Sequence, residues 1–124
     1  MTWIVDLSDE VEAWYDDLAE TDPDSRDLVA AALDLLEDAG PTLGRPLVDR
    51  IQHSTLHNLK ELRPGSKGRS EIRILFVFDP ERRAVMLVAG DKSGDWDRWY
   101  KRNVPIAEQR YERHLAKMKE EQDG

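Results

Sequence analysis

Cysteine is absent from the 124 residues. That excludes disulfides, thiolate nucleophiles and cysteine-ligated metals, and it is compatible with a reducing compartment. No apolar run approaches the ~20 residues that span a bilayer. Met1-Thr2-Trp3-Ile4-Val5-Asp6 puts no basic segment ahead of an apolar one, so neither a signal peptide nor membrane insertion is expected, and a cytoplasmic location is. Histidine occurs only three times. There is no His-Glu-x-x-His, no calcium loop and no nucleotide-type phosphate loop, for which Gly65-Ser66-Lys67-Gly68 is too short. No metal and no cofactor are expected. Basic side chains are almost missing from the start: residues 1–40 hold thirteen Asp/Glu and one Arg.

The remaining charge is distributed differently. Residues 41–103 hold thirteen Lys/Arg against eight Asp/Glu, although the whole chain carries −8. A polyanion could therefore meet the middle segment if the acidic part folds away from it. The bland alternative is that the acidic part only confers solubility.

Length and composition predict one α+β domain over 1–118, with 119–124 a frayed tail. Thr2 to Val5 reads as a strand. Ser8 is a helix cap, with Asp9 and Glu10 at the positive helix end. Val11, Trp14, Tyr15 and Leu18 then form one stripe. Asp22-Pro23 opens a second helix, whose apolar face is Leu28, Val29, Ala32, Leu33, Leu35 and Leu36, and Gly40-Pro41 ends it. Residues 41–58 are irregular. Strands are expected at 58–63, 71–79 and 84–90, the last two nearly all apolar and so central. From Asp95 helix returns, and Pro105 can open a final helix with Ile106, Tyr111, Leu115 and Met118 inward. The helix pair should cover one face of a small antiparallel-core sheet. The other face is left to the strand-borne arginines and the C-terminal helix.

Those arginines are the most informative residues. In Leu59-Lys60-Glu61-Leu62-Arg63 and Ile72-Arg73-Ile74-Leu75-Phe76-Val77-Phe78 each strand carries a cation. A guanidinium among Ile, Leu, Phe and Val is tolerated only where it reaches a surface, a partner or a ligand. Arg73 alternates away from Ile72, Ile74, Phe76 and Phe78, so it shares a face with Leu75 and Val77. A planar fork on a rigid strand can hold a phosphate bidentately; alternatively it pairs with Glu61 or Glu71. Lys60 and Arg63 alternate to opposite faces unless a bulge or the strand end intervenes. Lys92 follows a strand end, where it could stabilise charge or act as an acid. Lys67 and Arg69, in a glycine-rich loop, could steer a polyanion or simply be solvated. Trp96, Trp99, Tyr100 and Tyr111 could stack bases or seal the last helix on the sheet. His53 and His57 are candidate bases without a partner at useful spacing, and His114 is weaker still.

In order and in residues, the chain resembles the RelE/ParE superfamily of bacterial type II toxins, and within it the HigB-like branch that includes phage-derived proteins. The matching pieces are Leu59 to Arg63, Arg73 to Phe78, Val85-Met86-Leu87-Val88-Ala89-Gly90-Asp91-Lys92, and Ala107-Glu108-Gln109-Arg110-Tyr111. The resemblance implies a RelE-like fold and a toxin neutralised by a cognate antitoxin, expected to be a helix-turn-helix protein that alone contacts operator DNA. It implies ribosome-dependent cleavage of messenger RNA, with Arg73, Arg63, Lys92 and Lys60 as catalytic candidates and Lys67, Arg69 and Trp96 as RNA-binding ones. Two alternatives stay open: a gyrase-poisoning toxin on the same fold, and an inactive member that only binds antitoxin and co-represses. Lys92 is followed by Ser93-Gly94-Asp95-Trp96 where many relatives carry a second lysine.

Overall fold

The computed structural model describes residues 2–65 and 68–123. Five strands form one mixed sheet in the order β1-β5-β4-β3-β2. They are β1 (Ile4–Leu7), β2 (Val48–Arg50), β3 (Lys60–Leu62), β4 (Ile72–Phe78) and β5 (Arg83–Asp91), and the helices are α1 (Asp9–Thr21), α2 (Pro23–Ala39) and α3 (Trp96–Asp123). The expected α+β architecture is observed, with the antiparallel core formed by β3, β4 and β5 and two additions to it. First, β1 lies parallel to β5 at one edge. Second, a short strand, β2, emerges from the segment read as irregular and pairs with β3. Three residues carry too little periodicity to be read as a strand.

The helix starts follow local chemistry. Ser8 Oγ accepts from Val11 N at 3.3 Å and opens α1. Asp22 accepts from Ser25 N at 3.3 Å and, with Pro23 at the first helical position, opens α2. These cap contacts satisfy amides that no helical carbonyl can reach. Alternation along β4 then builds two cores. Ile72, Ile74 and Phe76 pack with Val11, Val29, Ala32 and Leu36 under the helix pair. Leu75 and Val77 pack with Leu87, Val88, Trp99 and Ala107 under α3. The sheet is thus covered on both faces, which is why β4 and β5 read as continuous apolar runs.

Pro105 does not open a helix; it lies inside α3, which begins at Trp96 and runs to Asp123. Burial on the sheet outweighs the one amide bond that proline forfeits. The indole of Trp99 rests on Gly90, where a Cβ would come within 3.0 Å of Nε1. Leu35 and Leu115, expected inward, are exposed. At the far end of the sheet His114, not Leu115, turns inward. Its Nε2 lies 2.9 Å from Asp79 Oδ2.

Asp79, with no exposed side-chain surface, also accepts from Arg83 Nε at 2.8 Å and from the amides of Glu81 and Arg83. Burial alone would raise its pKa, but the hydrogen bonds from His114, Arg83 and the turn amides hold it below the usual aspartate value of 3.8. A carboxyl depressed on folding stabilises the fold above its unfolded pKa and ceases to do so as pH falls through its folded pKa. Asp79→Asn should therefore destabilise the protein by about 3 kcal/mol at neutral pH, because the buried Arg83 pair loses its counter-charge and His114 its carboxylate partner. Melting curves should show that gap narrowing below pH ~4. A gap that stays constant down to pH ~2 would refute the assignment.

Candidate active site on the third-helix face

The sheet face under α3 carries a cleft of about 770 Å³, lined by Arg50, His53, Glu61, Arg63, Tyr100 and Lys101 among others. Its floor is β3. Glu61 pairs in register with Leu75 and faces α3, which leaves the residue 2% exposed. An isolated buried carboxylate is untenable, and this one has partners on both oxygens. Arg63 donates from Nε to Oε1 at 2.8 Å, and Tyr100 donates its phenolic hydrogen to Oε2 at 2.6 Å. Arg63 Nη2 also reaches Asp49 Oδ2 at 3.1 Å. Burial disfavours the charged guanidinium of Arg63, but Glu61 and Asp49 outweigh that and raise its pKa. Burial and then Glu61 push the Tyr100 phenol up to about 12, against a downward pull from Arg73.

Arg73 projects from β4 on this same face, opposite Gly90. Its Nη1 donates to the Ile72 carbonyl at 2.8 Å, and its buried Nε has no partner among the described residues. The expected carboxylate competitors are otherwise engaged. Glu61 is held by Arg63 and Tyr100, and Glu71 Oε2 lies 3.8 Å from Lys92 Nζ. Lys92 Nζ also sits 5.1 Å from the Trp96 ring centre and 5.4 Å from that of Tyr100. Arg73, Lys92, Tyr100 and Trp96 thus converge on one corner where β4, β5 and α3 meet. Trp96 is exposed there, whereas Trp99 is buried against the sheet. The aromatic cluster therefore divides between stacking surface and core.

The other sequence candidates separate. Lys60 points to the helix-pair face, 5.3 Å from the Phe78 ring centre. Burial, then Arg50, lowers its pKa. The period-two alternation of β3 therefore keeps it apart from Arg63, with no bulge in that pairing. Arg63, just past the strand end, is fixed by two carboxylates. Arg69 is an exposed loop residue, and Lys67 falls outside the described residues. His53 lines the cleft, His57 is exposed outside it, and His114 is taken by Asp79. No cluster of metal-ligating side chains occurs among the described residues.

Three roles are not legible in the sequence, those of Glu108, Tyr100 and Glu61. Glu108 Oε2 accepts from Ser54 Oγ at 2.8 Å and from Thr55 N and Oγ1, both at 2.7 Å, pinning the loop wall of the cleft to α3. Those bonds, that of the Thr55 hydroxyl foremost, lower its pKa against the effect of burial. Tyr100 had been weighed only as an aromatic surface, not as a hydroxyl. A signal existed for Glu61: a carboxylate in an apolar strand is as anomalous as an arginine there.

A single mixed sheet, a helix pair on one face and a strand-borne guanidinium beside a cleft on the other define a small α+β domain. The chain belongs to the family described as phage-derived protein Gp49-like, whose pattern matches residues 16–112. It is 47% identical over 118 residues to a Mycobacterium tuberculosis protein named as a candidate toxin, HigB2, covering 95% of this chain and 57% of the relative. It is 53% identical over 110 residues to another from the same organism, named as a candidate toxin, HigB3, covering 89% of this chain and 91% of the relative. The chain thus spans little more than half the length of the first relative and most of the second. The resemblance to the HigB-like branch holds at the level of sequence. No solved structure matches the chain.

Proposed function

We propose that this chain is the toxin of a type II toxin–antitoxin pair and that it cuts messenger RNA on the ribosome, in the cytoplasm, until its antitoxin binds it. The observation that carries the reading is the state of Arg73: a rigid strand guanidinium, unpaired with any carboxylate among the described residues, beside Lys92 and Tyr100. Cleavage of RNA by its own 2′-hydroxyl puts extra negative charge on the phosphorus oxygens. A preorganised cation stabilises that charge with no reorganisation during the reaction. Arg73 would hold the scissile phosphate and Lys92 the developing charge, while Trp96 offers a face to a neighbouring base. Arg63, engaged by Glu61 and Asp49, would shape the cleft, and Arg69 would steer the strand. The names of the two mycobacterial relatives support the toxin assignment.

Charge placement supports the same reading. The acidic residues 1–40 form β1 and the helix pair, and the helices lie across the sheet from the cleft. The antitoxin is expected to be a small helix-turn-helix protein that makes all contact with operator DNA.

The test is purified protein with translating ribosomes and end-labelled mRNA. Discrete cuts that need the ribosome are expected, and they should vanish on adding the protein encoded in the adjacent reading frame. Intact mRNA with broken chromosomal DNA in induced cells would move the assignment to a gyrase-poisoning toxin. Growth unaffected at every expression level would leave only antitoxin binding.

A further inference from the structure

The cleft has cations at one end and a fixed carboxylate at the other. The corner of Arg73 and Lys92 adjoins it at Tyr100. Glu108 also lines the cleft, further along α3 than Tyr100 by about 12 Å of helix axis. A phosphate and a neighbouring base can therefore occupy opposite ends. Glu108 Oε2 is saturated by Ser54 Oγ, Thr55 N and Thr55 Oγ1, so the carboxylate cannot rotate. These bonds also hold its pKa below the usual glutamate value and keep it ionised. Oε1 is not buried and takes no hydrogen bond from the described residues. The pinned loop is itself unusual. His53, in the cleft wall, has φ +62°, a left-handed backbone that few non-glycine residues adopt. Ser54 Oγ accepts from Leu56 N at 3.0 Å and stiffens the turn that follows. Backbone held in that region beside a cleft points to a site rather than a passive connection. An anion fixed in a cleft that takes RNA repels phosphate but suits a donor on a base.

We propose that the cleft between α3 and the loop of residues 51–57 is a base pocket, in which Glu108 Oε1 accepts a hydrogen bond from the exocyclic amino group of a base flanking the cut and His53 stacks on that base. This rests on the ribonuclease reading above. Adenine, cytosine and guanine each carry such an amino group. Uracil carries none, and its one ring N–H lies between two carbonyl oxygens that a carboxylate repels. The pocket therefore selects against uracil at that position. The imidazole face of His53 adds contact that any base can use. Glu108 has two tasks: Oε2 holds the wall in place and Oε1 reads the base. Neither residue touches the reacting atoms, so both act in recognition.

Single-turnover cleavage on ribosomes programmed with mRNAs that differ in one base beside the cut tests this. With the unaltered protein, uracil at one flanking position should slow cleavage about 10-fold or more relative to the amino-bearing bases. Replacing adenine there by purine riboside, which lacks the amino group, should cost a similar factor. Glu108→Gln keeps a carbonyl toward the three loop donors and turns its amide nitrogen to the cleft. A donor then replaces the acceptor, so uracil, with its O4 carbonyl, should become the preferred base. A merely structural clamp would not invert the order. His53→Ala should slow cleavage about 10-fold for every base without changing their order. An unchanged rate in that variant removes the stacking contact. Equal rates for adenine and purine, or the wild-type base order in Glu108→Gln, overturns the proposal. The adenine–purine comparison needs no variant and decides the matter if Glu108→Gln does not fold. Discrete cuts that are indifferent to every flanking base leave the nuclease reading standing and remove the pocket. If the unaltered protein cuts nothing on ribosomes, both fall.

Discussion

Arg73→Ala is expected to abolish growth arrest and to lower ribosome-dependent mRNA cleavage by about 100- to 1000-fold, the cost of removing one preorganised donor from a developing oxyanion. The fold should survive. Among the described residues Arg73 donates from Nη1 to the Ile72 carbonyl at 2.8 Å, lies close enough to Tyr100 to pull its pKa down, and buries an Nε without a partner. Deleting it removes an unsatisfied buried donor as well as a contact, so the melting temperature should move little. Arg73→Lys is the sharper variant. Lysine keeps the charge but not the planar fork, so it should recover only part of the rate if the phosphate is held bidentately. Cleavage kinetics and melting curves on the same preparations check both statements. Alanine at position 73 with undiminished toxicity would remove the central residue from the site.

The strand period explains why this much was legible beforehand. Arg73 emerges with Leu75 and Val77 toward α3, and Lys60 and Arg63 diverge, because alternation is a property of the backbone and survives any tertiary context. Helix starts at Ser8 and Asp22-Pro23 were equally local. What could not be read was which partner each cation would take. Arg63 is silenced by Asp49, fourteen residues away on a strand too short to show in the sequence. The Tyr100–Glu61 bond spans 39 residues, and the Glu108 clamp on Ser54 and Thr55 more than fifty. These contacts depend on how α3 crosses the sheet. That path was misjudged at Pro105, where proline signalled a helix start although burial of Val104 and Ala107 carries the helix straight through.

Gly40→Ala should be the most destabilising single-methyl change in the chain, costing about 3 kcal/mol, and two independent effects compound there. The backbone at Gly40 has φ +56° and ψ −139°, a region that residues with a Cβ rarely enter. Occupying it costs roughly 1–3 kcal/mol. The new methyl would also overlap the Trp3 indole at Nε1 and Cδ1. Trp3 has little room to yield: its ring lies edge-on to Phe78 at 4.8 Å between centres, with the Arg82 guanidinium 4.6 Å away on one side. Its amide donates to the Glu37 carbonyl at 2.9 Å, near the end of α2. Displacing that indole would disturb the junction where β1, α2 and the β4–β5 turn meet. The two effects can be separated by a double-mutant cycle. In a Trp3→Ala background the overlap is gone, so Gly40→Ala should cost only its backbone part, leaving a coupling of about 1–2 kcal/mol. Urea unfolding of the four proteins measures it. Strict additivity would mean that the indole gives way freely and that backbone conformation alone makes glycine necessary at this position.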